Sequence, residues 1–147
     1  MSPIQAKSKS SAKANAPEPS EAIALKPMVF KIDHCFTPYV RMTQAGKWVK
    51  PDAQRYLASQ AAIKQELWEQ MQAKGYEAFP RGISLSLTLI ITHAHKFNDR
   101  DADNEIKSLS DAAQKIAYAN DQWIDRIYAD RRLGDTCQVI MVIMVRE

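Results

Sequence analysis

From Ile83 to Leu89 the chain alternates without a break, with Ile83, Leu85, Leu87 and Leu89 on one side and Ser84, Ser86 and Thr88 on the other. A period of two sends successive side chains to opposite faces of an extended strand, so this stretch is a sheet member with one face buried. It runs on through His93 into the acidic segment DRDADNEIK, residues 99 to 107, and from there into a helical pattern. Asp103 or Asn104 suits the N-cap of that helix. Ile106, Leu109, Ala113 and Ile116 make its apolar stripe, and its end falls near Tyr118. A fold that contains this segment holds its acids on the junction of a strand and a helix, a more rigid mount than a free loop.

The remaining elements follow from the same periodicities. Residues 1 to 25 are rich in Ser, Ala, Lys and Pro, hold little that could enter a core, and read as a disordered tail ahead of a domain over 26–147. PMVFKIDH, from Pro27, is a first strand. The next segment, CFTPYVRMTQAGKWVKP, has no helical period and reads as a long loop, with a short hairpin around Ala45 and Gly46. Pro51 opens a long helix with Tyr56, Ile63, Leu67 and Met71 on its apolar face and Gly75 as its C-cap. After a turn at Asn120 and Asp121, RIYADRRL is a strand, and Gly134 with Asp135 is the hairpin turn to a final strand, CQVIMVIMVRE. The unbroken apolar run of that last strand suits cover on both faces. The outcome is an α/β (α+β) fold: a small mixed β-sheet with two main helices.

Charge and composition narrow the function less than the pattern does. A net charge of +3 and a pI near 8.9 permit a nucleic-acid partner without demanding one. No apolar run approaches the ~20 residues of a membrane helix, so a soluble chain with no membrane partner is expected. The two cysteines, Cys35 and Cys137, are too few and too distant for a disulfide framework or a zinc site, and read as free thiols of a reducing compartment.

Asp99, Asp101 and Asp103 stand two residues apart and project to one side of an extended segment, while Lys107 follows Asp103 at the helical i,i+4 spacing. Carboxylates so clustered sit in water or gather a cation, and magnesium suits them because it takes oxygen ligands and is typically held by one or two carboxylates plus water and phosphate. An EF-hand is excluded: its sixth position is Asn104 rather than Gly, and its twelfth is Ser110 rather than Glu. His93 and His95 are better explained as a half-buried strand end than as metal ligands. On spacing alone a solvated helix start accounts for the acids; Lys107 and the later Asp121 shift the balance towards phosphate chemistry. Arg41, Lys47 and Lys50, interleaved with Phe36, Tyr39 and Trp48, suit a surface that grips phosphates and stacks on bases, and equally a solvated loop pinned by its aromatics.

The series RDADNEIK, Asp111, NDQWIDRIYADR is similar to the core of the RusA family of Holliday junction resolvases, proteins common in prophages. Arg100, Asp101, Asp103, Asn104 and Lys107 match the family's Arg, Asp-x-Asp-Asn and Lys pattern, and Asp121 matches the second acid of its later pair, with Asn120 where many members have the first. The resemblance covers about residues 27 to 146. It implies a homodimeric, magnesium-dependent endodeoxyribonuclease, with Mn2+ as a substitute ion, that nicks four-way DNA junctions symmetrically in recombination and repair, in the cytoplasm at the nucleoid. It further implies Asp101, Asp103 and Asp121 as metal ligands, Lys107 beside the scissile phosphate and Arg100 on DNA; Arg41 and the basic entry from Lys50 through Arg55 loosely resemble the family's, and with Lys47 of the basic, aromatic loop they complete the candidate DNA contacts. The alternatives are a nuclease for other branched DNA and a non-catalytic DNA-binding protein.

Overall fold

A computed structural model describes residues 25–43 and 50–146. The hairpin expected at Ala45 and Gly46, the side chains of Lys47 and Trp48, and nearly all of the N-terminal tail therefore lie outside the described residues. In chain order the elements are β1 (Met28–Ile32), α1 (Pro51–Lys74), β2 (Leu85–His93), α2 (Ala102–Ala113), a 3-10 turn at Asp121–Trp123, β3 (Ile124–Leu133) and β4 (Gln138–Val145). The strands form one sheet in the order β1-β4-β2-β3. β4 is antiparallel to both its neighbours, and β2 and β3 run parallel. The expected mixed sheet with two main helices is what the chain builds.

The periodicities translate directly into packing. Met28, Phe30 and Ile32 of β1, Leu85, Leu87, Leu89 and Ile91 of β2, and Val139, Met141 and Ile143 of β4 are all buried in one core. Ile63, Leu67 and Met71 of α1 meet them from one side, as do Leu109, Ala112 and Ala113 of α2. Pro51 sits in the first turn of α1, where a missing N–H costs nothing. Gly75 ends that helix with φ 67°, a left-handed conformation that glycine adopts freely, and Tyr76 N–H closes the cap on Met71 O at 3.0 Å.

Several expectations change. α2 stops at Ala113, short of Tyr118, because Lys115 turns into the left-handed region at φ 69° and the chain folds back to pair Tyr118 with Phe79. Its buried side also differs from the apolar stripe: Glu105 and Ser108 are buried, whereas Ile106 and Ile116 are half-buried. Gly134 and Asp135 do not make a hairpin, since β2 lies between β3 and β4. The link instead crosses the end of β2, where Gly134 N–H donates to His93 O at 2.9 Å. A Cβ on Gly134 would stand 2.5 Å from Thr92 Cγ2, so glycine is what lets the crossing lie this close.

The reading of Cys35 and Cys137 as free thiols is overturned: the two are joined in a disulfide. β1 pairs with β4 so that Ile32 lies opposite Val139, which brings residues just beyond those ends together across 102 positions of sequence. A cross-link closing so long a loop is worth about 2–4 kcal/mol. Reduction with dithiothreitol, or the pair Cys35→Ser and Cys137→Ser, is expected to lower the melting temperature by roughly 5–10 °C in a thermal-denaturation scan. An unchanged melting temperature would show that the bridge adds nothing to stability.

Candidate active site

The centre of the site region is a carboxylate that periodicity did not single out. Glu105 is 0% exposed, one turn inside α2. Its Oε2 lies 2.9 Å from His93 Nε2 and 3.1 Å from Arg100 Nε, and its Oε1 lies 3.3 Å from Arg131 Nη1. The end of β2, the acidic loop, α2 and β3 therefore converge on one buried acid. Cations are what make such burial tolerable, because an unpaired buried charge is costly. Arg131 also donates to Arg100 O at 2.8 Å, and Arg100 Nη2 to Phe36 O at 2.6 Å. Sequence could have flagged Glu105 only as an acid one turn ahead of Leu109 on the inward side of the helix.

The loop after β1 is laced to the same helix. Tyr39 N–H donates to Asn104 O at 2.9 Å and Ser108 Oγ to Thr37 O at 2.8 Å. Buried Gln60 of α1 donates to Ser108 O at 2.8 Å, which ties the two helices together. Phe36 is 6% exposed and lies under the Arg100 guanidinium, so this aromatic does pin the loop.

On this frame Asp103 and Lys107 project from the exposed side of α2, and Asp121 stands at the start of the 3-10 turn that leads into β3. All of them line a groove of about 520 Å³ between α2 and β3, with Ile106, Ser110, Ile127 and Ala129. Parallel pairing of β3 with β2 is what returns Asp121 to the helix. Asp103 and Ser110 are two turns apart, so the groove runs roughly 10 Å along the helix. Lys107 Nζ lies 3.2 Å from Asp111 Oδ2 and 4.8 Å from the centre of the Tyr39 ring, so its partner is Asp111 on the next turn.

Asp101 is the N-cap residue of α2 and opens onto a different cavity, of about 500 Å³, lined also by Asp99, Arg100, Asn104, Tyr39 and Arg55. Asp101, Asp103 and Asp121 are exposed and make no ion pair among the described residues. Asp101 thus lines a different cavity from Asp103 and Asp121, and no three His, Cys, Asp or Glu side chains come together as a metal-binding cluster among the described residues. The donor chemistry nonetheless fits magnesium, which needs only one or two free carboxylates and keeps several waters. Arg100 is turned inward onto Glu105, Arg55 pairs with Asp52, and Arg41 and Lys50 are exposed in and at the end of the loop after β1. His93 is buried against Glu105 and Phe97, while His95 is exposed beyond the strand end, so the two do not form a pair.

Tyr118 is buried and donates to Ser110 O at 2.7 Å. Burial, and then the charges of Asp121 and Asp111, push its phenol well above the ordinary range. Burial, followed by Asp111 and Tyr39, pushes Tyr56 up to about 12. Folding therefore holds these protons more tightly than the unfolded chain does. Stability from them is full below the ordinary tyrosine value of 10.0 and declines as pH rises from there towards 12. Denaturant titrations between pH 9 and 12 are expected to show that decline, and Tyr118→Phe to flatten it. Glu105→Ala, which strands Arg100 and Arg131 without their buried partner, is expected to cost about 3–5 kcal/mol by urea denaturation.

A comparison with curated proteins finds no match to the chain. Comparison with family models does: residues 36–144 match the model described as endodeoxyribonuclease RusA. That span takes in the loop after β1, both helices, the groove and nearly all of β4, and on it the chain belongs to the RusA family of endodeoxyribonucleases.

Proposed function

We propose that this endodeoxyribonuclease resolves four-way DNA junctions in recombination and repair, using magnesium and making paired symmetric nicks as a homodimer. The observation that carries the reading is the shared groove: Asp103, Lys107 and Asp121, remote in sequence, line one cavity open to solvent. Asp103 and Asp121 would hold the ion, and Asp101, the residue before α2, is the third candidate ligand. When bound, the ion would activate water and stabilise the leaving oxygen of a phosphodiester.

The chain's own residues then have defined tasks. Lys107, steadied by Asp111 and the Tyr39 face, offsets the charge of a phosphate brought against the acids. Arg41 and Lys50 supply exposed positive charge from the loop after β1 for the DNA backbone, contacts that set position rather than sequence. Arg100 acts from below, since its guanidinium fixes the loop carbonyl of Phe36 and the buried Glu105. A two-fold pair of such sites matches a substrate with two equivalent strands to cut.

Asp103→Asn is expected to bind a synthetic four-way junction with unchanged affinity and to lose at least about 100-fold in cleavage rate with magnesium. Chelation should abolish cleavage by the unmodified chain, and added magnesium should restore it. Unimpaired cleavage by Asp103→Asn would reject the site. Equal cleavage of plain duplex would reject the junction as substrate and leave a general nuclease.

A further inference from the structure

Ile106 and Ala129, two walls of the acidic groove, are also walls of a second cavity, of about 360 Å³, that continues along β3 to Arg131. Ile127 and Ala129 line the groove, and Ala129 and Arg131 line the second space, so it lies roughly 7 Å further along the strand. Ile91 from β2, Ala102 from the first turn of α2, and Phe97 from the loop between them complete its lining. Asp130, also at its wall, is paired with Arg132.

The chemistry of this cavity differs from that of the groove. Arg131 is the cation in its lining, but Nη1 donates to the Arg100 carbonyl at 2.8 Å and to Glu105 Oε1 at 3.3 Å, so its charge is already met from inside the protein. Its guanidinium carbon stands 4.7 Å from the centre of the half-buried Phe97 ring. The aliphatic side chains around this pair would strip water from a phosphate without replacing it. A flat heterocycle suits the same walls, because bases stack on aromatic rings and on guanidinium planes. At about 360 Å³ the space is near the lower end of small-ligand pockets, which run from ~300 to ~1,000 Å³, and has room for one ring system rather than a base pair.

We propose that this cavity holds a single unstacked nucleobase of the DNA strand being cut, one or two nucleotides from the phosphate on the acids. The inference rests on the reading that Asp103, Lys107 and Asp121 hold that phosphate, because it is their groove that leads into the cavity. A shift of roughly 7 Å is about two nucleotides at the ~3.4 Å spacing of a stacked strand, and fewer where the strand is stretched. A base enters only after leaving its neighbours and its partner, which is costly within a duplex and least so where pairing is already interrupted. The cavity thereby favours DNA near a branch point without touching the branch itself. Phe97 and Arg131 act on the substrate, while Glu105 holds Arg131 in place beneath it.

Four-way junctions carrying 2-aminopurine at single positions near the branch, bound to the full chain in EDTA so that no strand is cut, report which base leaves the stack. One position on each cut strand is expected to change its emission at least about threefold. An abasic nucleotide at that position should weaken binding, measured by fluorescence anisotropy, about tenfold, as the loss of one base stack does. Phe97→Leu keeps apolar bulk and loses the ring. It should weaken binding of the intact junction by the same factor and be indifferent to the abasic nucleotide, since both changes remove one contact. Ala102→Phe fills the cavity from a half-exposed position, should likewise remove the emission change, and keeps the test decisive if Phe97→Leu does not fold. No responsive position at saturation, or losses from Phe97→Leu and the abasic nucleotide that multiply to about 100-fold, would overturn the pocket. Cleavage is scored separately: coupling between Phe97 and the base alongside undiminished cutting by Asp103→Asn keeps the pocket and loses the acidic site, and the reverse pattern does the opposite.

Discussion

The carboxylate of Glu105 is the point on which the site depends. It is buried, and the groups that neutralise it come from a strand end, a loop and a neighbouring strand. Burying a charge this deeply is unfavourable unless every partner is in place, so the same interaction that permits α2 to dock also fixes where it docks. The exposed acids of α2 gain their position from this anchor. Asp103 and Lys107 lie on the solvent side of a helix whose inner side cannot rotate without stranding Glu105.

This division of labour separates residues that the acidic segment presents as equivalent. Within eight residues, Arg100 and Glu105 are ion-pair partners, Asp103 and Lys107 face the groove, and Asp101 stands just before the helix beside another cavity. A charged side chain next to a candidate site is thus as often part of the mount as of the machinery. Arg100 binds Glu105 and the Phe36 carbonyl, while Arg41 and Lys50 lie at the surface.

Much of this was legible in the sequence wherever a strong period met a clear stop. The alternation through Leu89, and Pro51 and Gly75 at the ends of α1, each arise from local physics and appear as expected. The groove residues Asp103, Lys107 and Asp121 were legible through their pattern, which matched a family. What failed was non-local. Parallel pairing of β3 and the position of β4 between β1 and β2 are not encoded in any short window, so the assumed hairpin at Gly134 and the assumed free thiols were both wrong for one reason. Strand order decides them. Glu105 was missed because a polar residue on a buried helix side breaks the very period used to find that side.

The place of β4 in the sheet has a temporal consequence. It is the latest of the strands in sequence, yet it lies between β1 and β2 and pairs with both. A chain emerging from the ribosome can pair β2 with β3 and dock α2 on them, but β1 has no neighbour until residues 138–145 follow. Such long-range closure is slow, because the entropy of a large loop must be overcome before its contacts form. Until residues 138–145 have been made, β1 therefore has no strand to pair with, and the sheet is open on the side of β2 that β4 fills.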